Sequence, residues 1–494
     1  MFKRTFILIV VVFSLIWSTT NLHSNISANQ KIYEAETASF DSLFIIADSS
    51  ASAGAYLKMG DKGSVVWNIE VDSAAWYDLV FRYRSPQGEK EQSLVRNGYE
   101  SKIGFGYSPD WNFLRAKTRL QQGLNTIEIK ASRGNIDIDY LMLRLIHPEP
   151  TLKPKQNFFY KNFPEDISIK TNQFGHPIEK IVCGNKEIPF STTEFSFQED
   201  AKVITISKDI LSQLPVGSHS LKLIYADNES LNFDLQVALN PKPAQLTIVA
   251  PDVNHGSAVL FILPGGKTML VDCGQDWIRD QVIIPLLDRH KIQKIDYFFL
   301  THYHRDHDSG DQGMKIREKY NVEKFYDYKS FTTGETFELD KVQFKILNSF
   351  QDGDEENTRS LSFKMEYNGF VYVHGGDIYA ENQQKILRDF PGDIEADVYY
   401  ANHHFHGSVD VDYLRAVDPK IVLVQAQEAI YARSAYMVNF KEDVEKYLIE
   451  NNKRYIEDLP NLEVGTVVIR VNGKNDWTYE TYGDTKNLIV PLIK

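Results

Sequence analysis

Hydrophobic and polar residues alternate in short runs through the N-terminal part of the chain. Two examples are residues 65–71 (Val-Val-Trp-Asn-Ile-Glu-Val) and 77–83 (Tyr-Asp-Leu-Val-Phe-Arg-Tyr), and Gly, Asp, Asn and Ser residues separate such runs. A period of two is the pattern of a half-buried strand, and many short strands with frequent turns indicate a β-sandwich. We therefore predict a first β-sandwich over residues 31–148.

Short alternating runs continue beyond the Pro/Lys-rich connector that follows Pro150. Examples are residues 203–206 (Val-Ile-Thr-Ile) and 220–225 (Ser-Leu-Lys-Leu-Ile-Tyr). This pattern predicts a second, immunoglobulin-like sandwich over residues 149–243, which ends at the segment Asn-Pro-Lys-Pro (240–243). The segment carries no cluster of titratable residues, so we interpret it as a spacer.

From residue 244 the pattern changes to apolar strands interleaved with helical stretches. Gly265-Gly266 lies between two apolar runs and predicts a hairpin turn. A helix over 277–289 and a strand over 297–301 are predicted next. Alternating strands and helices are typical of an α/β domain, which we place at residues 244–494.

The N-terminus has the pattern of a secretory signal. Lys3 and Arg4 precede an apolar run from Phe6 to Trp17, which is shorter than the ~20 residues of a membrane helix. We predict a signal peptide over residues 1–28, with cleavage near Ser24 or Ala28; an uncleaved anchor is the alternative. No later segment is apolar enough to span a bilayer. The expected location is secreted, periplasmic or at the cell surface of a bacterium.

Length, charge and cysteine content narrow the function classes. A chain of 494 residues exceeds one hydrophobic core, and about three domains are expected. The net charge of −13, without an evident basic patch, disfavours nucleic acid as a partner but does not exclude it. The two cysteines, Cys183 and Cys273, fall in different predicted domains, which argues against a disulfide framework and a cysteine metal site.

The chemical centre of the sequence follows the predicted strand 297–301. His302, His304, Asp306 and His307 are four potential metal ligands within six residues. Imidazole nitrogen and carboxylate oxygen suit Zn²⁺ and similar ions. The spacing of His302 and His304 lets both reach one ion from an extended loop, while Asp306 and His307 diverge and can serve a second ion. The cluster predicts a metal site.

This His-x-His-x-Asp-His pattern resembles the metallo-β-lactamase superfamily. Four further stretches (252–258, 269–274, 357–361 with Gly376-Asp377, and 403–408) resemble the branch that contains the hydrolase-like domain of DNA-uptake channels and the phosphorylcholine esterases. The resemblance implies a four-layer αββα fold and two divalent ions, with Zn²⁺ favoured and Mn²⁺ as the alternative. It covers residues 245 to 494.

The resemblance also assigns roles to individual residues. It implies that Asp377 bridges the ions and that a histidine of the late cluster completes the second site; counting from Asp397 favours His403, with His404 and His406 left open. Asp306 and Asp377 are the expected catalytic carboxylates. Asp272 and Asp308 are expected to orient the ligands.

The sequence departs from the superfamily pattern at the first metal site. Many members have a further ligand between the signature and the bridging carboxylate, yet no histidine occurs between His307 and His374. The first site then has only His302, His304 and Asp377, so weaker binding or single-metal activity is conceivable.

The first sandwich resembles carbohydrate-binding modules of families 6 and 35. Its opening, 32–36 (Ile-Tyr-Glu-Ala-Glu), the segment 123–127 and its closing segment, 135–141, carry the resemblance. The resemblance implies a structural Ca²⁺ at three carboxylates and a sugar site at three other side chains. The calcium residues are Glu34, Glu36 and Asp139, and the sugar-binding candidates are Tyr56, Trp111 and Asn135.

Together these features predict a secreted metal-dependent hydrolase, held at a glycan by its module. A metal-bound hydroxide would attack a phosphodiester or an ester. The alternatives are a lactonase or β-lactamase-like hydrolase of esters or amides, and a glycan-binding surface protein whose hydrolase domain is vestigial.

Overall fold

The computed structural model describes most of the chain downstream of the predicted signal. The described residues are 30–87, 90–105, 108–153, 156–196, 200–349, 355–405, 410–426, 454–455, 465–482, 488 and 492. The predicted signal peptide (1–28) and His406 lie outside them. Within these ranges, no helix combines the length and apolar character that crossing a bilayer requires.

The first sandwich consists of two facing antiparallel sheets. One has the strand order β3-β4-β11-β6-β9, with β1 beside β11, and the other has the order β2-β5-β10-β7-β8. Alternate residues point inward, and Trp67, Phe81 and Phe105 pack in the core between the sheets. The strands are β1 (Gln30–Glu34), β2 (Ser39–Asp41), β3 (Phe44–Ala47), β4 (Ala55–Met59), β5 (Ser64–Val71), β6 (Ala75–Ser85), β7 (Lys90–Arg96), β8 (Tyr99–Phe105), β9 (Ser108–Leu120), β10 (Gly123–Arg133) and β11 (Ile136–Ile146).

A second sandwich follows directly. Its sheets have the orders β12-β14-β18-β17 and β13-β20-β19-β15-β16, and they enclose a separate core. Its elements are β12 (Thr151–Lys153), β13 (Gln156–Tyr160), β14 (Ile167–Asn172), β15 (Ile178–Cys183), β16 (Lys186–Ile188), β17 (Ser191–Ser196), β18 (Ala201–Ile206), α1 (Lys208–Leu211), β19 (Gly217–Tyr225) and β20 (Ser230–Ala238).

The remaining elements form two seven-stranded sheets with the orders β25-β24-β23-β22-β21-β33-β34 and β26-β27-β28-β29-β30-β31-β32. The strands are β21 (Leu246–Ala250), β22 (Val259–Ile262), β23 (Thr268–Val271), β24 (Tyr297–Leu300), β25 (Lys324–Asp327), β26 (Thr336–Leu339), β27 (Val342–Asn348), β28 (Ser362–Tyr367), β29 (Phe370–His374), β30 (Val398–Tyr400), β31 (Ile421–Leu423), β32 (Arg454–Tyr455), β33 (Thr466–Gly473) and β34 (Asp476–Tyr482). The helices are α2 (Asp276–Ile278), α3 (Ile284–Arg289), α4 (Arg305–Asp308), α5 (Met314–Lys319), α6 (Ala380–Asp389) and α7 (Val411–Val417).

The two large sheets share one core and carry helices on their outer faces. Side chains of both sheets, such as Phe261 and Tyr372, meet between them with ring centroids 5.4 Å apart. Leu286 of α3 and Ile316 of α5 pack on the outer face of the first sheet, while α6 and α7 cover the second. This confirms the predicted fold class, two β-sandwiches followed by a four-layer αββα domain. The domain boundaries remain predictions.

Four strand ends bring polar residues to one edge of the paired sheets. Asp272 follows β23, the His302–His307 signature follows β24, Asp377 lies three residues beyond β29, and the turn 402–405 follows β30. β23 pairs in parallel with β24, and β29 pairs in parallel with β30, so each pair delivers its carboxyl ends to the same edge. The hydrophobic strands therefore position the site.

The second sandwich is joined to the αββα domain by a buried polar contact. The hydroxyl of Tyr160 in β13 donates to Glu480 Oε1 in β34 at 2.6 Å, and Arg470 Nε donates to the same oxygen at 3.1 Å. Tyr160 is buried and packs in the core beneath the first large sheet. The sequence-based interpretation of this sandwich as a spacer therefore omits a supporting contact.

Replacement of Tyr160 by phenylalanine should destabilise the αββα domain. The change leaves the buried Glu480 carboxylate with one partner fewer, which costs about 1–3 kcal/mol. The αββα transition in calorimetry should shift to lower temperature, while the transition of the first sandwich stays in place. Tyr99→Phe is the matched control, because Tyr99 is exposed. Equal effects of the two substitutions would contradict a supporting contact.

Candidate metal centre

The signature residues leave β24 as a short loop that enters helix α4. His302 and His307 are fully buried, whereas His304 is exposed at the position that precedes the helix. The rings of His302 and His307 lie 4.1 Å apart, and those of His302 and His304 lie 4.7 Å apart. The loop therefore directs two imidazoles inward and one toward solvent.

Asp377 lies at the end of a turn that tolerates almost no side-chain volume. Gly376 has a φ of +58°, and a Cβ there would lie 2.5 Å from Ser360 Oγ. A Cβ on Gly375 would lie 2.7 Å from the Asn402 side chain. Ser360 Oγ accepts the backbone N–H of Asp377 at 2.9 Å. The Gly375-Gly376 pair thus allows the carboxylate to be held against its neighbours.

One oxygen of Asp377 lies among three imidazole nitrogens. Its Oδ2 is 3.2 Å from His307 Nε2, 3.6 Å from His302 Nε2 and 3.6 Å from His404 Nε2. His307 Nε2 and His404 Nε2 are 3.2 Å apart, and His404 Nε2 is 3.5 Å from Asp306 Oδ2. Metal bonds of about 2.0–2.2 Å place the donor atoms of one ion roughly 3–4 Å apart, so these spacings suit metal ligation.

Several buried atoms of the cluster lack hydrogen-bond partners within the described part of the chain, and two of them face its centre. These two are His302 Nε2 and Asp377 Oδ1. Burying polar atoms without partners is costly, and a divalent cation would satisfy both. His302, His307 and Asp377 form one group of close donor atoms, and His255, Asp306 and His404 form another. The residues fit the pair of divalent ions that the sequence predicts.

Hydrogen bonds on the far side of the His307 and His302 rings fix the orientation of these two imidazoles. Asp272 Oδ2 is 2.8 Å from His307 Nδ1, and His302 Nδ1 lies 3.1 Å from Thr301 Oγ1. With Nδ1 protonated on both rings, each Nε2 presents a lone pair toward Asp377. Asp272 thus lies within hydrogen-bond distance of His307, and its role in orienting a metal ligand stays a prediction. Asp308 instead accepts the backbone N–H groups of residues 310 and 312 in the following turn.

The buried charges perturb one another strongly. Burial lowers the pKa of His302 to about 3, with a further contribution from His307. Burial disfavours ionisation of Asp377, yet His307, His404 and His302 hold the pKa of its carboxyl well below its usual range. Burial also opposes a charge on His307, but Asp377 and Asp272 raise its pKa. A cation therefore competes with a proton at His307, and metal occupancy should fall as pH falls.

The late histidine cluster differs from the sequence-based preference for His403. The structure places His404, one of the two open alternatives, beside Asp306 and Asp377. The His403 ring instead lies 5.5 Å from that of Tyr379, and its Nε2 is 3.4 Å from Asn357 Nδ2. His403, His404 and Phe405 have φ values of 44°, 54° and 56°. Counting along the sequence assumes an extended chain, in which successive side chains point to opposite sides. Three consecutive left-handed residues break this alternation, so the count selects the wrong neighbour.

His255 also lies at the cluster, and no sequence motif predicts a role for it. Its Nε2 lies 3.5 Å from Asp306 Oδ2, and its ring lies 4.7 Å from that of His404. The stretch 252–258, which contains His255, carries only a family resemblance in sequence. The available signal for a site residue was a histidine followed by a glycine in the loop between the apolar strands β21 and β22.

His374, the histidine closest in sequence to Asp377, belongs to the hydrophobic core. Its ring stacks on Tyr400 at 4.3 Å and on Phe363 at 5.1 Å, and Tyr372 Oη lies 3.0 Å from its Nδ1. Burial lowers the pKa of His374 to about 4. His374 is therefore a neutral, buried ring that packs in the core beside the cluster.

The three predicted calcium residues converge in the first sandwich. Ser52 Oγ donates to Glu34 Oε1 at 3.0 Å, and the Ser52 backbone N–H donates to Asp139 Oδ1 at 3.0 Å. Burial raises the pKa values of Glu34, Glu36 and Asp139, and the charge of Asp139 adds to this effect at both glutamates. Glu34 Oε2 and Glu36 Oε2 are buried without hydrogen-bond partners among the described residues. Arg82 also pairs with Asp139. Oxygen donors of this kind fit Ca²⁺.

Two of the three predicted sugar contacts lie together. The rings of Tyr56 and Trp111 meet edge to face, with centroids 5.4 Å apart, and the guanidinium of Arg84 lies 4.1 Å from the Trp111 centroid. Tyr56 is buried, whereas Trp111 is partly exposed. Asn135 precedes β11 and is not part of this ring pair. Trp111 is therefore the more exposed ring of the pair, and the guanidinium of Arg82 also lies over it, at 5.0 Å.

Two family models match separate parts of the chain. Residues 31–146 match the family described as carbohydrate binding module (family 35), and residues 252–424 match the metallo-beta-lactamase superfamily. A family 35 carbohydrate binding module from Clostridium thermocellum is 25% identical, with 24% of this chain and 98% of that chain covered and a TM-score of 0.23.

Two curated proteins are similar to a part of this chain. ComE operon protein 3 of Bacillus subtilis is 25% identical over 172 residues, which cover 30% of this chain and 22% of that protein. Ribonuclease Z of Archaeoglobus fulgidus is 27% identical over 164 residues, which cover 30% of this chain and 52% of that protein. The match thus spans about a fifth and about half of the two relatives' lengths.

Alanine substitution should separate the two described histidines of the late cluster. His404→Ala should lower the metal content of the purified protein by about one ion, because it removes a donor beside Asp306 and Asp377. His403→Ala is the matched control and should retain the wild-type content. Elemental analysis after dialysis against trace Zn²⁺ measures both. Equal losses in the two variants would contradict the assignment of His404.

Proposed function

We propose, from the membership of residues 252–424 in the metallo-β-lactamase superfamily and of residues 31–146 in carbohydrate-binding module family 35, that this protein is a metal-dependent hydrolase held at a glycan surface. The observation that carries the proposal is the buried Asp377 carboxylate, which lies within 3.2–3.6 Å of three imidazole nitrogens. His302, His304, Asp306, His307, Asp377 and His404 are the proposed ligands.

The chain contributes orientation, charge and access to the reaction. Divalent ions, when bound, supply Lewis acidity and lower the pKa of an attacking water. Asp272 and Thr301 hold His307 and His302 so that their Nε2 atoms face Asp377. The Asp306 carboxylate is 23% exposed, so substrate approaches from its side of the cluster. His302 and Asp377 close the opposite, buried side.

A phosphodiester is the favoured substrate class, and a carboxylic ester is the second. One of the similar curated proteins is named a ribonuclease, and the bonds that join RNA are phosphodiesters. The whole chain carries a net charge of −13, so an anionic substrate gains its main attraction at the ions rather than from the surrounding surface. An uncharged ester is not repelled by the negative surface, so its binding depends less on attraction at the ions.

The module is proposed to act as a tether. Trp111 presents a partly exposed ring beside Tyr56 and Arg84, and sugar rings pack on such faces. Holding the hydrolase domain near a polysaccharide raises the local substrate concentration without contact to the reacting bond. Ca²⁺ at Glu34, Glu36 and Asp139 and secretion through the N-terminal signal complete the proposal.

A substrate panel tests the proposed reaction. The full chain, supplied with Zn²⁺ or Mn²⁺, is assayed against a phosphodiester, a phosphomonoester, a carboxylic ester, a lactone and a β-lactam. We expect the phosphodiester to be hydrolysed fastest and chelation to abolish the activity. Turnover of the lactone or β-lactam alone would favour the carbonyl chemistry instead. Absence of metal and of turnover would favour a glycan-binding protein.

Asp306→Asn should abolish most of the hydrolysis. The substitution keeps the shape but removes the negative charge that balances a bound ion. A loss of about 3–5 kcal/mol in transition-state stabilisation corresponds to roughly two to four powers of ten in rate. Polysaccharide binding should be unchanged, because the module is separate. Near-normal turnover at saturating metal would contradict a role for this ligand.

Trp111→Ala should weaken adhesion to polysaccharide and leave turnover of a small soluble substrate unchanged. Removing an aromatic platform costs about 1–3 kcal/mol, or roughly a 5- to 150-fold loss of affinity. Affinity electrophoresis in polysaccharide gels measures the adhesion. Phe113→Ala is the control, since Phe113 is exposed on the same strand. If Trp111→Ala binds as wild type does, the sugar site lies elsewhere.

A further inference from the structure

The loop that carries His255 is held tightly against the metal signature. The backbone N–H of Ser257 donates to Asp306 O at 2.9 Å, and Gly274 N–H donates to Ser257 O at 2.8 Å. A Cβ on Gly256, whose φ is +131°, would lie 2.4 Å from Asp306 O. Only glycine permits this approach. The position of His255 relative to Asp306 is therefore set by backbone contacts.

The imidazole of His255 faces the donor atoms on the open side of the cluster. Its Nε2 lies 3.5 Å from Asp306 Oδ2, the same separation that His404 Nε2 shows from that oxygen. His255, Asp306 and His404 each turn one donor atom toward the other two. These spacings fit donors of a single ion, whose opposite ligands are about 4 Å apart. The His255 side chain is 20% exposed.

We infer that His255 is an additional ligand of the ion held by Asp306, His307, Asp377 and His404, and that the two ions are consequently bound with unequal affinity. This inference rests on the proposed metal-dependent function. The second ion then has three imidazoles and two carboxylates. The first ion has His302, the exposed His304 and a share of Asp377, because no histidine lies between His307 and His374.

The difference in affinity between the two ions follows from their donor atoms and from the burial of these donors. Imidazoles are strong ligands for Zn²⁺, and a ligand that is already held in place loses little conformational freedom on binding. His404 is buried and the His255 side chain is only 20% exposed, whereas His304 is exposed and its ring has more freedom to lose. The second ion should therefore bind first and tightly, and the first ion should follow at higher metal concentration.

Metal titration of the full chain tests the inference. Wild type, His255→Ala, His304→Ala and the control His403→Ala are stripped of metal and titrated with Zn²⁺ against a competing chelator. Wild type and His403→Ala should bind one ion tightly and one weakly. His255→Ala should weaken the tight step by about tenfold or more, since loss of even an outer partner of a ligand costs about 10–100-fold. His304→Ala should lose only the weak step.

Co²⁺ substitution gives a second measurement that does not depend on turnover. The visible absorption of the tightly bound Co²⁺ should become more intense in His255→Ala, because lower coordination numbers absorb more strongly. A wild-type spectrum and an unchanged tight step in this variant, with an altered KM for substrate, would overturn the inference and place His255 against the substrate. If no form of the protein bound metal, the proposed function itself would fail.

Discussion

The carboxylate of Asp377 is buried among three imidazoles, and the rest of the αββα domain is arranged so that this charge can be held there. A carboxylate in such a position needs compensation by protons or metal ions, because desolvation of an unpaired charge is prohibitive. The two large sheets supply the rigid frame, since β24, β29 and β30 deliver the signature, Asp377 and His404 to one edge. Gly375 and Gly376 then remove the side-chain volume that would separate these loops.

The three parts of the chain are connected to different degrees. Tyr160 of the second sandwich reaches a buried ion pair of the αββα domain, so these two parts share an interface. The first sandwich has its own core and touches the second through aromatic contacts such as Trp76 with Phe174. A module with an independent core suits a tether, because it can bind a surface without transmitting strain to the metal centre.

Much of the fold could be predicted from local patterns. The Gly265-Gly266 turn joins β22 and β23 as expected, and the predicted helix 277–289 corresponds to a helical stretch from Asp276 to Arg289 that includes a π-helical turn. The strand after that helix ends within one residue of its predicted end. These elements follow from hydrophobic periodicity, which acts over short distances in sequence. Compact motifs such as His-x-His-x-Asp-His carry their chemistry in the same local way.

The details that escaped prediction depend on backbone geometry or on contacts between distant residues. The left-handed turn at 403–405 directs His404 rather than His403 toward Asp377, and no residue in it is a glycine that would have signalled positive φ. The place of His255 depends on a backbone hydrogen bond between Ser257 and Asp306, about fifty residues away in sequence. Tyr160 and Glu480 are farther apart still. Single-sequence patterns contain no information on such pairings.

The central claim, that the cluster around Asp377 binds divalent metal, is tested most directly by anomalous X-ray diffraction from crystals of the full chain grown with Zn²⁺. The account predicts a strong peak at the zinc edge within about 2.0–2.2 Å of the Asp377 carboxylate, His307 Nε2 and His404 Nε2. A map without a peak at this cluster, from crystals that hold zinc elsewhere, would contradict it.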